Sequence, residues 1–130
     1  EIKREGTDVT IVSFGKIIKE AYKAADELEK EGISCEIIDL RTVRPLDQDA
    51  ILKSVKKTNR LVILEEAWPF GNVASEITYI IQSKAFDYLD APIVKINTAD
   101  TPAPYSPVLL AEWLPNSNDV VKAIKKVLYK

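Results

Sequence analysis

Two arginines, Arg41 and Arg44, stand three residues apart, shortly after a short apolar segment at residues 34–38. A guanidinium group presents its N–H donors in a planar fork, so a pair of them is suited to bind a phosphate or a carboxylate. No glycine-rich phosphate loop accompanies them in the sequence. The simpler interpretation is that they pair with neighbouring aspartates, Asp39 and Asp47 among them, and only hold the chain in shape. The sequence leaves both a candidate anion site and a structural ion-pair network open.

Two adjacent carboxylates, Glu65 and Glu66, follow a second apolar segment at residues 60–64. Consecutive side chains of a strand point to opposite faces of the sheet. These two glutamates therefore cannot act as a matched acid and base within this chain. We expect them to pair with Arg41 or Arg44, or to belong to a subunit contact.

An aromatic segment, Trp68, Pro69 and Phe70, comes directly after the glutamates and one alanine. Tryptophan and other aromatic residues are enriched at the centres of protein interfaces. The same side chains could instead cover the domain core. The sequence supports an interface and a core cover about equally.

Histidine is absent from all 130 residues, and one cysteine, Cys35, is present. The absence removes the usual general base, the usual zinc ligand and every Ser-His or Cys-His arrangement. Because Cys35 lies in an apolar segment, we expect a buried small side chain rather than a nucleophile. If the chain catalyses a reaction by itself, carboxylates, Lys, Tyr or a borrowed cofactor must do so, and we predict no metal site.

The charges are nearly balanced, with 18 Lys and Arg against 20 Asp and Glu. This provides no net basic field to attract nucleic acid or an anionic membrane, so we predict neither as a partner. A chain of this length with 46% hydrophobic residues is long enough for one domain, spanning residues 1–130. It begins with Glu and contains no Met, which favours a part of a longer polypeptide.

Apolar segments with strand and helix patterns alternate along the chain. The pattern predicts strands at residues 8–14, 34–38, 60–66 and 93–96, and helices at residues 16–31, 48–58 and 73–86. A final helix follows residues 116–118. Such alternation is typical of an α/β fold with a parallel sheet, whose ligands bind at the carboxyl ends of the strands. The two arginines and the two glutamates both belong to that edge.

Residues 39–47, with the sequence DLRTVRPLD, resemble the signature of the transketolase C-terminal domain family. Further segments are similar to β-subunits of the pyruvate dehydrogenase first component: KTNRLV at 57–62, EEAWPFG at 65–71, AFDYLDAP at 85–92 and ADTPAPY at 99–105. The resemblance runs collinearly over essentially the whole chain. It implies a three-layer α/β sandwich with a mixed five-stranded sheet, one strand antiparallel and helices on both faces.

The resemblance also implies that cofactor binding and subunit assembly belong to different domains of the enzyme. In this family thiamine diphosphate and magnesium bind between the α-subunit and the N-terminal domain of the β-subunit. This chain would be a non-catalytic C-terminal domain that binds no cofactor itself and serves assembly with the α-subunit and a second β-subunit. It would also dock the enzyme, which oxidatively decarboxylates pyruvate, onto the dihydrolipoyl acyltransferase. The expected location is the bacterial cytoplasm, with the mitochondrial matrix as the alternative.

The resemblance assigns contacts to particular positions. Asp90 and the chain end at Lys130 match the contact with the subunit-binding domain of the acyltransferase, provided that the last helix packs back toward Asp90. A solvated turn aspartate is the competing interpretation of Asp90. The neighbouring subunits would be faced by Glu65, Glu66, Trp68, Pro69 and Phe70.

A second functional class remains open. Related domains occur in branched-chain 2-oxoacid dehydrogenase, deoxyxylulose-phosphate synthase and 2-oxoacid oxidoreductases. A domain of that kind would be a small-anion-binding regulatory module that uses Arg41 and Arg44.

Overall fold

The computed structural model describes residues 1–40, 47–66, 73–98, 106–108 and 114–130. The strands are β1 (Ile2–Arg4), β2 (Val9–Ser13), β3 (Cys35–Asp39), β4 (Leu61–Leu64) and β5 (Val94–Ile96). The helices are α1 (Ile18–Glu29), α2 (Gln48–Thr58), α3 (Val73–Ala85) and α4 (Ser117–Val127), and a 3₁₀ turn, Phe86–Tyr88, follows α3. The strands and helices predicted from the sequence pattern are confirmed, close to their predicted bounds.

The strands form one mixed sheet in the order β1-β3-β2-β4-β5. Strands β2, β3, β4 and β5 are parallel, and Ile11 of β2 pairs with Ile37 of β3 and Val62 of β4. The edge strand β1 runs antiparallel to β3. The sequence pattern had not predicted β1, but the family resemblance implied a fifth, antiparallel strand, which is confirmed.

The sheet is covered on both faces, so its three central strands, β2, β3 and β4, are buried almost throughout. Val9 and Ile11 pack with α1 and α4, whereas Val12 packs with α2 and α3. This follows from the alternation of side chains along a strand. The three-layer sandwich is confirmed, and each fully buried Ile or Leu contributes about 1.5–3 kcal/mol relative to an exposed one.

Polar side chains define where two helices begin. Asp47 caps α2, because its carboxylate accepts a hydrogen bond of 3.2 Å from the backbone N–H of Ala50. Asn116 caps α4 and forms a reciprocal capping box with Asp119. Both caps were predicted from the sequence.

Left-handed residues end α1 and α2. Gly32, with a φ of 79°, follows α1, where its N–H and that of Ile33 bond back into the last turn. Asn59, with a φ of 63°, ends α2 and leads the chain into β4. These two turns fix the lengths of the helices that separate the parallel strands.

Candidate partner-binding surface

Asp90 lies in the loop between the 3₁₀ turn and β5. Its backbone N–H donates to the carbonyl of Asn59 at 2.8 Å, and the Asn59 side-chain amide donates to the carbonyl of Tyr88 at the same distance. These bonds fix the loop against the end of α2. The Asp90 carboxylate remains 56% exposed, so the loop presents a negative charge to solvent at a fixed place.

The last helix returns to the Asp90 loop. After α4, the N–H of Tyr129 donates to the carbonyl of Lys126, and the N–H of Lys130 donates to that of Lys125. Tyr129 has a φ of 58°, which is the left-handed conformation that ends such a turn. Its hydroxyl donates a long hydrogen bond, 3.4 Å, to the backbone carbonyl of Asp90. The assignment of Asp90 and Lys130 required the last helix to pack back toward the Asp90 loop. The structure shows this packing.

Arg60 connects the same two parts, and the sequence reasoning missed it. Its Nε donates to the carbonyl of Val127 at 3.1 Å, at the carboxyl end of α4. Its Nη2 lies 3.8 Å from the Asp90 carboxylate. A cation at a helix carboxyl end is favourable, because the unpaired carbonyls carry partial negative charge. The sequence feature that could have identified Arg60 is its position directly before a buried strand.

A cavity of about 520 Å³ opens beside Asp90. We call it the Asp90 groove; apart from Asp90 itself, its wall is mostly apolar. Its main lining residues are Gln82, Phe86, Leu89, Pro92, Ile93 and Tyr129. Sequence reasoning did not predict this groove, because its walls come from three parts of the chain.

Glu65 and Glu66 diverge at the end of β4, as predicted. Glu65 is fully buried and accepts hydrogen bonds from the N–H of Ala74 at 3.3 Å and from the side-chain amide of Asn97 at 2.8 Å. Burial raises the pKa of the Glu65 carboxyl, and the donors at Ala74 and Asn97, with the charge of Lys95, offset only part of that rise. Glu66 is exposed. Glu65 therefore supports the start of α3 from inside the domain.

A second buried carboxylate, Glu36 of β3, was not singled out from the sequence. It accepts hydrogen bonds from Ser54, from Lys57 and, at 3.3 Å, from the N–H of Gly6. Burial opposes its ionisation, but these donors outweigh burial and hold the pKa of Glu36 below its ordinary value. Thr10 extends this cluster through a hydrogen bond of 2.7 Å with Ser54. The cluster fastens α2 to the sheet.

Several predicted site residues lie outside the described residues: Arg41, Arg44, Trp68, Pro69 and Phe70. The candidate anion site and the aromatic interface segment therefore stay predictions. Asp47, one predicted partner of the arginines, has its carboxylate engaged as the cap of α2.

The described residues offer little for metal or thiol chemistry. Among them, no group of three His, Cys, Asp or Glu is placed to hold a metal ion. Cys35 is buried, and burial raises the pKa of its thiol to about 11, which matches the expectation of an inert small side chain. In the described ranges, no helix combines the length and the apolar character needed to cross a membrane.

The family model described as "Transketolase, C-terminal domain" matches residues 1–120. The chain belongs to this family. The resemblance first noted at residues 39–47 is thereby confirmed, together with the fold that it implied. A split-gene transketolase, described as an inactive beta4 tetramer, superposes on this transketolase C-terminal domain with a TM-score of 0.85. It is 29% identical over 99% of this chain and 41% of its own chain.

Curated relatives of this transketolase C-terminal domain are more similar in sequence. The pyruvate dehydrogenase E1 component subunit beta of Rickettsia felis is 51% identical over 99% of this chain and 40% of that protein. The mitochondrial pyruvate dehydrogenase E1 component subunit beta-1 of Arabidopsis thaliana is 48% identical over 100% of this chain and 36% of that protein. The chain thus spans about two fifths of the length of such relatives.

Proposed function

We propose that this chain is the non-catalytic C-terminal domain of the β-subunit of a pyruvate dehydrogenase first component. Its role is to assemble that enzyme and to dock it onto the dihydrolipoyl acyltransferase. Sequence identity near 50% to such β-subunits, over nearly the whole chain, supports the assignment. The parent enzyme would oxidatively decarboxylate pyruvate with thiamine diphosphate.

The observation that carries the docking role is the position of Asp90. Its exposed carboxylate stands on a loop held by Asn59, and Tyr129, which follows α4 and precedes Lys130, contacts the same loop. A carboxylate fixed in this way loses little conformational freedom when it binds a cation. We assign Asp90 and the chain end at Lys130 to the contact with the basic subunit-binding domain of the acyltransferase.

Assembly is assigned to the other end of the sheet. We propose that Glu66, Trp68, Pro69 and Phe70 face the α-subunit and the second β-subunit. Glu65 is fully buried and would support this contact from inside the domain, because its carboxylate accepts from the N–H of Ala74 at the start of α3. The β-subunit names of the relatives support an α-subunit partner for the parent enzyme.

The described residues of this chain do not fit a thiamine diphosphate site. The two buried carboxylates are both engaged within the domain, Glu36 with Ser54 and Lys57, and Glu65 with Ala74 and Asn97. We therefore assign thiamine diphosphate and magnesium to other parts of the parent enzyme. We place the enzyme in the bacterial cytoplasm, with the mitochondrial matrix as the alternative, since relatives of both kinds are similar.

Two assays of the parent enzyme distinguish a defect in docking from a defect in catalysis. The first is decarboxylation of pyruvate with an artificial electron acceptor, which needs no acyltransferase. The second is the overall reaction at limiting acyltransferase. In the Asp90→Asn enzyme, the first activity is expected to stay unchanged and the second to fall. Equal losses in both activities would overturn the assignment of Asp90 to docking.

A further inference from the structure

We propose that the Asp90 groove binds one large apolar side chain of the docking partner, next to the basic residue that pairs with Asp90. The inference rests on the proposed docking function. It specifies the partner's chemistry as a basic residue adjacent to an aromatic or branched aliphatic one. The groove would then supply salt-independent affinity, and Asp90 would supply the charge contact.

The groove has room for such a side chain, and its lining is mostly apolar. Its volume of about 520 Å³ falls within the ordinary range of ligand pockets, about 300–1,000 Å³. Leu89, Pro92 and Ile93 form the apolar wall on the loop side, and Phe86 contributes from the 3₁₀ turn that follows α3. Burial of apolar surface in a pocket of this kind is what anchors the hot-spot residues of protein interfaces.

The two aromatic side chains of the groove are exposed although they border an apolar cavity. Phe86 is 62% exposed and Tyr129 is 71% exposed. Contiguous exposed apolar surface with a polar rim is typical of an interaction site. A partner side chain between Phe86 and Tyr129 would remove both rings from water.

The backbone of Tyr129 gives independent support. Its φ of 58° lies in the left-handed region, where glycine or asparagine ordinarily ends a helix and a bulky residue is uncommon. This conformation places the ring against the Asp90 loop, where its hydroxyl reaches the Asp90 carbonyl. A strained residue that forms the wall of a cavity points to a functional constraint.

Charge complementarity selects a peptide with a basic residue over a neutral or acidic one. Asp90 is the charged member of the groove lining. Its contact with Arg60 is long, 3.8 Å, and the carboxylate is more than half exposed, so a partner cation can approach it from solvent. A lysine or arginine beside the inserted apolar side chain satisfies both features.

The test measures the affinity of the acyltransferase subunit-binding domain for the assembled parent enzyme at low and high salt. We expect Phe86→Ala to weaken binding by about tenfold, equivalent to about 1.4 kcal/mol. The loss should be similar at both salt concentrations, because apolar contacts are not screened. Tyr79→Ala is the matched control: Tyr79 lies on α3, is 69% exposed and does not line the groove, so affinity should not change.

Tyr129→Gly provides a second variant, because glycine adopts the left-handed conformation without strain and preserves the end of α4. It should also weaken binding by about tenfold while the thermal stability of the enzyme does not fall. Unchanged affinity in both groove variants, with weakened binding in Asp90→Asn, would overturn the groove inference and leave docking intact. Unchanged affinity in all three would remove the docking function as well. Reduced self-association of Phe86→Ala with normal domain binding would instead assign the groove to a contact between copies of the chain.

Discussion

Arg60 links Asp90 to the carboxyl end of α4. One guanidinium nitrogen lies 3.8 Å from the Asp90 carboxylate, and another donates to the carbonyl of Val127 at 3.1 Å. The two partners are 37 positions apart in the sequence, and a residue at the start of β4 brings them together. The Arg60 side chain thus contacts both the candidate docking loop and the end of α4, which the Tyr129 hydroxyl also joins.

Replacement of Arg60 tests this connection. Arg60→Gln should lower the free energy of unfolding by about 1–2 kcal/mol, because a charged donor to a helix carbonyl is lost. It should also increase amide hydrogen exchange at Tyr129 and Lys130. The control is Lys125→Gln, which removes a more exposed pair with Glu31 and should cost less than about 1 kcal/mol. Equal effects of the two substitutions would contradict the linking role of Arg60.

The Glu36 cluster predicts a pH-dependent stability. The pKa of Glu36 is lowered in the folded chain, so its contribution is fully present above the unfolded carboxyl pKa, near 4.3, and is lost as pH falls through the folded value. Ser54→Ala removes a donor to this carboxylate and should destabilise the domain by about 1–3 kcal/mol at pH 7. This loss of stability should become smaller at acidic pH, because Glu36 is then protonated.

Urea denaturation of the Ser54→Ala domain at several pH values measures this effect. Ser83→Ala, at an exposed position of α3, is the control and should change stability by less than about 0.5 kcal/mol. A Ser54→Ala loss that is the same at pH 7 and in acid would mean that the hydroxyl does not act through the ionised Glu36.

The contribution of Glu65 to stability should depend on pH in the opposite sense to that of Glu36. Because the pKa of Glu65 is raised in the folded domain, its contribution to stability declines as pH rises from the unfolded carboxyl pKa through the folded value. Glu65→Gln keeps an oxygen that can accept from Ala74 and removes the titration. At pH 7 the variant should be at least as stable as the wild-type domain by chemical denaturation. A loss above about 1 kcal/mol at pH 7 would show that the ionised carboxylate is required.

Cys35 should be unreactive in the folded chain. Its pKa of about 11 keeps the thiol protonated at pH 7, and its side chain is buried. A chromogenic aromatic disulfide should therefore react at the rate of unfolding, and rapidly only in denaturant. Since unfolded thiols ionise near pH 8.5, stability should also fall as pH rises from there toward 11. Fast stoichiometric reaction of the native domain would contradict its burial.

The sequence pattern predicted the elements that carry regular signals. The strand β2 and the helix α4 were recognisable from apolar periodicity, and Asp47 and Asn116 from capping chemistry. It did not predict β1, because a three-residue edge strand that is largely exposed has no apolar run.

The candidate site was harder to predict for a physical reason. Asp90 was found through family resemblance, but its neighbours Arg60 and Tyr129 are brought to it only by tertiary packing. The Glu36 cluster was missed because a glutamate inside an apolar strand gives no local sign of the donors on α2 that satisfy it. Long-range polar contacts of this kind have no sequence period.

The most direct measurement is the dissociation constant of the acyltransferase subunit-binding domain from the assembled parent enzyme, carrying wild-type, Asp90→Asn or Asp87→Asn β-subunit. Asp87 is an exposed acidic residue of the neighbouring 3₁₀ turn and outside the groove lining, so it controls for general charge. Asp90→Asn should weaken binding at low salt by about tenfold, or about 1.4 kcal/mol, with a shallower salt dependence, whereas Asp87→Asn should have little effect. Equal affinity of the wild-type and Asp90→Asn enzymes at low salt would contradict the assignment of this chain to docking through Asp90.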